Sequence, residues 1–174
     1  MTSVLSWANA PGRALKKATL GQVKLIIQND LSLKGIEKVL TQGMYLQQDK
    51  AADLLFRLFD QAPERLEEIR DFIMGDLAKV PARHPRWAYC KIAPHLVEDE
   101  EEALDLYQRL HSWLGDSSAV VQILCLEGMW ELTTWLPERR EEVLPIIKEA
   151  FLHGKAGVRV RSRKLLARAG LGGY

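Results

Sequence analysis

An all-α fold is predicted for this chain of 174 residues, and three observations carry the prediction. Apolar residues recur at i, i+3, i+4 and i+7 in nearly every stretch, which is the spacing of one helix face. No segment alternates apolar and polar residues for long, and the chain has no Asn-Gly or Asp-Gly pair to close a hairpin. The breaks between periodic stretches are short and fall at Pro and Gly, with two to six residues between helices. A 47% hydrophobic share is enough to build a core at this length, so a disordered chain is excluded.

Taken in order, Thr19 and Ser32 are placed to cap two helices near 20–29 and 33–47. Ala51, Leu54, Leu55, Leu58, Phe59 and Ala62 make the apolar face of the next helix. Pro63 opens a further one at its first turn, where a missing N–H costs nothing, and Leu66, Ile69, Ile73, Leu77 and Val80 extend it. Pro81 and Pro85 bracket a turn, and a short helix runs from Pro85 to a stop or kink at Pro94. The acid run Glu98–Glu102 opens the helix carrying Ala103, Leu106, Tyr107, Leu110, Trp113 and Leu114, where negative charge favours the positive end of the dipole. Gly115-Asp116-Ser117 supplies a stop and caps for a helix at 118–134 that is apolar nearly all round, as in a helix covered on most sides. Pro137 opens a helix with Val143, Ile146, Ile147, Ala150 and Phe151 on one face, and Gly154 ends it. The last helix buries Val158, Ser162, Leu165, Leu166 and Ala169.

Charge is unevenly spread beneath a net +1. Residues 1–29 and 150–174 carry bases and no acid, whereas 30–149 hold all 23 acids against 14 bases. Basic ends on an acidic body point to head-to-tail association or to an anionic partner met at one end. The N-terminal stretch has no apolar core before its bases, so it does not read as a secretory signal; Pro11-Gly12 and a single Arg argue against a transit peptide. Runs of apolar residues are too short to span a bilayer. Cys90 and Cys125 read as buried, reduced thiols of a cytoplasmic protein.

The most specific signal is a repeat. Pro63-Glu64-Arg65-Leu66-Glu67-Glu68-Ile69 returns 74 residues later as Pro137-Glu138-Arg139-Arg140-Glu141-Glu142-Val143, and the acidic helix start at Glu98–Glu102 lies halfway between. A spacing of about 37 residues is the length of a helix-pair repeat, whose apolar faces are buried only by neighbouring copies. The run Gly115-Asp116-Ser117-Ser118-Ala119-Val120-Val121-Gln122-Ile123-Leu124-Cys125-Leu126 and the last helix with Val160-Arg161 resemble the HEAT/armadillo-like α-solenoid family. Gln122 stands where that family usually has Arg, and Lys155 replaces the turn Asp in the last copy. The segment Trp87–Ala93 is similar but more degenerate. The resemblance covers about residues 48–169 and implies a right-handed α-α superhelix of three to four pairs, forming one domain over 19–174 with residues 1–18 as an extension or cap.

The function this implies is a non-catalytic scaffold that binds a protein partner on its concave face. Trp87, Lys91, Glu127 and Glu131 are the candidate contacts there. Glu127 and Glu131 lie four apart on one helix face, but no Glu-x-x-His motif joins them for metal work. The histidines at 84, 95, 111 and 153 form no ligand spacing, so no metal and no cofactor is expected. The alternative is a nucleic-acid-binding protein related to the DNA-alkylation-repair glycosylases, which share a HEAT-like repeat. Arg159, Arg163, Lys164 and Arg168 on the last helix would then meet phosphates. The structural reading of the same bases is that they snorkel over the apolar stripe, with Arg161 bracing adjacent repeats as the family's structural arginine does.

Overall fold

The computed structural model describes residues 4–12 and 16–172, and every regular element among them is helical. The helices are α1 (Val4–Asn9), α2 (Lys16–Asn29), α3 (Ile36–Gln42), α4 (Tyr45–Gln61), α5 (Arg70–Gly75), α6 (Arg83–Ile92), α7 (Glu100–Ser112), α8 (Ala119–Leu132), α9 (Arg140–His153) and α10 (Ala156–Arg168). Tight 3-10 turns stand at Pro63–Ile69, Leu77–Lys79, Ala93–His95 and Pro137–Arg139. Contacts sort into two compact units, Met1–Ile92 and Ala93–Tyr174. Of the expected N-terminal extension, residues 1–3 and 13–15 lie outside the described residues.

The first unit is built around α4, which touches α1, α2, α3 and α6. Ala51, Leu54, Leu55 and Leu58 are buried, as their spacing predicts, and each leucine so removed from water is worth about 1.5–3 kcal/mol. Several boundaries differ from expectation. Thr19 is a buried residue inside α2 instead of its cap. Ser32 caps a turn, accepting the Lys34 N–H at 3.1 Å, and α3 begins only after Gly35. The helix expected over 33–47 breaks at Gly43. That over Leu66–Val80 divides into a 3-10 turn, the six-residue α5 and a second 3-10 turn. The helix expected from Pro85 starts at Arg83, so Pro85 falls in its first turn, where its missing N–H is harmless.

The second unit is built around α8, which contacts α7, α9, α10 and the turn at Ala93–His95. Val121, Leu124, Cys125, Leu126, Met129 and Leu132 are buried on several sides of it, matching its all-round apolar character. Asp99 caps α7 by accepting the Glu102 N–H at 2.8 Å, while the Glu102 carboxylate accepts the Glu98 N–H at 3.0 Å. Part of the acid run therefore satisfies orphan donors at a helix start. Ser118 caps α8 through the Val121 N–H.

A length recurs across the chain. Helices α4, α6, α8 and α10 begin at Tyr45, Arg83, Ala119 and Ala156, at intervals of 38, 36 and 37 residues. Two turns repeat in detail. Gly43 (φ −68°, ψ 160°) ends α3 and Gly154 (φ −69°, ψ 164°) ends α9, and each N–H reaches the carbonyl four residues back at 3.0 Å. A Cβ at Gly43 would run into the Val39 carbonyl, and one at Gly154 into the Ala150 carbonyl and Val158. Any larger residue would force these two-helix corners open.

Candidate functional site

Polar side chains tie helices together at separations close to that same length. In the first unit, His84 Nδ1 on α6 lies 2.7 Å from Asp49 Oδ1 on α4, 35 residues earlier, though not in line for a well-directed hydrogen bond. Lys91 Nζ donates to Asp60 Oδ1 at 2.5 Å and to the Phe56 carbonyl at 3.3 Å, and stands 3.8 Å from the Phe56 ring centroid. Lys50, only 4% exposed, points from α4 to the end of α1. It donates to the Trp7 carbonyl at 2.7 Å and the Ala10 carbonyl at 2.8 Å, with the Trp7 ring centroid 4.8 Å away. Gln47 takes the Asn9 carbonyl at 3.1 Å. Together they satisfy carbonyls that a helix end leaves orphaned. Burial pushes the Lys50 ammonium below its ordinary value.

In the second unit, Glu127 on α8 pairs with Arg161 on α10, and Glu131 pairs with Arg168 at 2.9 Å. Lys155 Nζ donates to the Ser117 carbonyl at 2.7 Å, across 38 residues. Tyr107 on α7 meets Glu142, and Arg139 stands over the Tyr107 ring at 5.6 Å. Burial first, and the neighbouring Glu142 charge second, push the Tyr107 hydroxyl above its ordinary value.

The residues expected to meet a partner are thus distributed as follows. Glu127 and Glu131 share a face of α8, as their spacing requires, but both are engaged by arginines of α10. Lys91 is spent on α4. Trp87, also on α6, is half-buried with its Nε1–H enclosed and without a hydrogen-bond acceptor among the described residues. Its ring meets His84 edge-on at 4.5 Å and carries the Arg83 guanidinium at 5.0 Å. Of the four bases proposed for phosphate, Arg168 is paired. Arg159, Arg163 and Lys164 are exposed and form no ion pair among the described residues. Among the described residues no cluster of three His, Cys, Asp or Glu side chains is placed to hold a metal ion. No described helix is long and apolar enough to cross a membrane.

Sequence reasoning missed a groove in the second unit. It has a volume of about 570 Å³ and lies between α8 and α9, closed by Leu114 and by Val158 at the start of α10. Leu126, Pro145, Ile146 and Ala150 make its apolar lining, and Gln122, Glu149 and His153 are its polar members. One amide N–H of Gln122 is already used, donating to the Asp116 carbonyl at 2.7 Å. Glu149 and His153 are exposed one helical turn apart, 3.6 Å between Oε1 and Nε2. Pro145 sits inside α9 and lacks the N–H that would pair with the Glu141 carbonyl. The available signal was the width of the apolar face of α9: Val143 and Ile147 are buried, and Pro145, Ile146 and Ala150 extend beyond them.

With the chain's geometry in hand, comparison with protein-family models, with curated proteins and with solved structures finds no match.

Proposed function

We propose that this chain is a HEAT-like helical-repeat scaffold, without catalytic chemistry of its own, that binds a segment of a protein partner in the groove between α8 and α9. The groove carries the reading. Its volume of about 570 Å³ is in the range of small-ligand and side-chain pockets, and its lining is apolar with a few polar groups at hand. An apolar anchor of a partner helix fits such a site, because most interface energy comes from a few buried anchors in pockets. The repeat reading is supported by helix starts 36 to 38 residues apart, by the paired Gly43 and Gly154 corners, and by cross-links spanning 31 to 43 residues. The carboxylates Glu127 and Glu131 serve this reading as braces between α8 and α10, the helix whose Val158 closes one end of the groove.

The test is selection of displayed helical peptides against the purified chain, with Ala150→Arg as counter-target. Ala150 is half-buried on the groove wall, so an arginine there blocks the groove with little change to the core. Peptides carrying apolar anchors are expected, with affinity lower by about tenfold or more for the Ala150→Arg protein. Peptides that bind both proteins equally, or no selected peptide at all, would reject the groove as the binding site.

A further inference from the structure

We infer that the outward face of α10 is a docking surface for an acidic amphipathic helix of another protein. This surface is separate from the groove, to which α10 contributes only Val158. At 100° per residue, Ala156, Val160 and Ala167 form a row along the side of α10 opposite its buried stripe of Val158, Ser162, Leu165 and Leu166. All three are exposed, Val160 by 57%. Arg159 and Arg163 border the row on one side, and Lys164 borders it on the other. These three bases have no anionic partner among the described residues. An apolar row between unpaired cations is the complement of a helix with an apolar stripe between carboxylates.

Two features favour a polypeptide over a nucleic acid. Beyond Lys164 on the same flank stand Arg161 and Arg168, whose charges are already met by Glu127 and Glu131. A phosphate backbone, evenly charged along its length, would meet only the three unpaired cations of this face, too few for the extended track such a backbone needs. It would also leave the exposed Val160 unmatched. A helix can place carboxylates opposite Arg159, Arg163 and Lys164 and uncharged residues elsewhere. A second copy stacked on α10 in the sense of the preceding helices is disfavoured by the polarity of the cationic ties. Lys50 of α4, His84 and Lys91 of α6, and Arg161 and Arg168 of α10 each come from the later helix and meet oxygen atoms of an earlier one. On α10, Lys164 and Arg168 stand 37 residues after Glu127 and Glu131, so the acidic side that would receive another such helix is replaced by bases.

The experiment measures fluorescence anisotropy of a labelled, stapled amphipathic helix with leucines on one face and glutamates on both flanks. Its glutamine counterpart and a labelled oligothymidine of similar length are measured beside it. The glutamate helix is expected to bind the wild-type chain, and the Arg159→Glu/Arg163→Glu protein at least about tenfold more weakly. Lys164→Glu, on the opposite flank, is the second variant and is expected to weaken binding in the same direction. Thermal melts of both variants are expected to match wild type, since all three side chains are exposed. Equal binding of the glutamate and glutamine helices, binding unchanged in both variants, or tighter binding of oligothymidine would each overturn the proposal. Sedimentation of the wild-type chain alone is expected to give a monomer. A dimer lost in the Arg159→Glu/Arg163→Glu protein would make a second copy the occupant and overturn it as well.

Discussion

The two units join their helices with similar side chains in different surroundings. In Met1–Ile92 the tie from α4 to α1 runs through a group withdrawn from water, Lys50 at 4% exposed, while Arg65 and Lys91 reach the exposed carboxylates of Asp30 and Asp60. In Ala93–Tyr174 the side chains of Arg161 and Arg168 are 44% and 56% exposed while they hold Glu127 and Glu131. The dielectric response of the surroundings decides what each tie is worth. A buried ammonium that loses its acceptors leaves them unpaired in a dry site, whereas a wet ion pair is replaced by water at small cost. The α1 corner of the first unit therefore depends on Lys50 for stability, whereas the wet pairs between α8 and α10 set the orientation of α10 at little energetic weight.

The duplicated Pro-Glu-Arg segments make the same point locally. Both begin with proline after a residue of matching non-helical backbone, Ala62 at φ −156° and ψ 68°, and Leu136 at φ −122° and ψ 69°. In the first copy Arg65 pairs with Asp30 and donates to the Leu31 carbonyl at 2.9 Å. Glu68 accepts the Ser32 hydroxyl and the Leu33 N–H, the latter at 2.9 Å. Asp30 ends α2 in the left-handed region at φ 49°, so Arg65 also holds a residue in a conformation it rarely adopts. The chain there stays a tight 3-10 turn for seven residues. In the second copy Arg139 and Glu142 bind each other at 2.7 Å, and after three residues the turn becomes the fourteen-residue α9. One start has two outcomes, because the first copy's charges are committed to a loop and the second copy's to each other.

Three substitutions sharpen this comparison. The largest effect is expected for Lys50→Met, which keeps the apolar stem but strips the Trp7 and Ala10 carbonyls of their donor. A loss of about 2–4 kcal/mol in urea unfolding is expected, together with faster hydrogen exchange across Val4–Asn9. A loss below about 1 kcal/mol would show that α1 is held by packing alone.

Glu68→Gln comes next, at about 1 kcal/mol after solvent screening of this exposed carboxylate is discounted, and it carries a pH signature. Burial pushes the Glu68 carboxyl up, but the Leu33 N–H, the Ser32 hydroxyl, the Lys34 N–H and the Arg65 charge together hold it below its ordinary 4.5. A depressed carboxyl contributes its stability in full above pH 4.5 and loses it as the pH falls through the folded value. Urea midpoints of wild type should therefore fall more steeply below pH 4.5 than those of Glu68→Gln. Parallel acid limbs would remove Glu68 from the account.

The smallest effect belongs to the wet ties. A double-mutant cycle on Glu127→Gln and Arg161→Gln is expected to give a coupling under about 1 kcal/mol that shrinks further in high salt. A salt-insensitive coupling of several kcal/mol would mean that this pair is as dry as the Lys50 site of the first unit.

Much of the architecture was legible from local pattern. Helical class, the α4 and α8 core positions, the stop at Gly154 and the acidic cap of α7 all follow from spacing along the chain. A helix face is set by 3.6 residues per turn, and a proline or glycine acts on its own backbone. The failures have one origin. Leu66–Val80 carries helical spacing yet folds as a short helix between 3-10 turns, because Arg65 and Glu68 answer to residues 30–34. Lys50 lies in an unremarkable polar stretch, since its acceptors lie 40 and 43 residues away. The pairing of Glu127 with Arg161 and of Glu131 with Arg168 likewise spans 34 and 37 residues, beyond any local pattern. The α8–α9 groove exists only where three helices fail to close over one another. Periodicity thus determined which residues face inward, while the tertiary structure alone decided which charges find partners and which apolar surface is left open. Those outcomes depend on distances between residues some 35 positions apart, which no local pattern encodes.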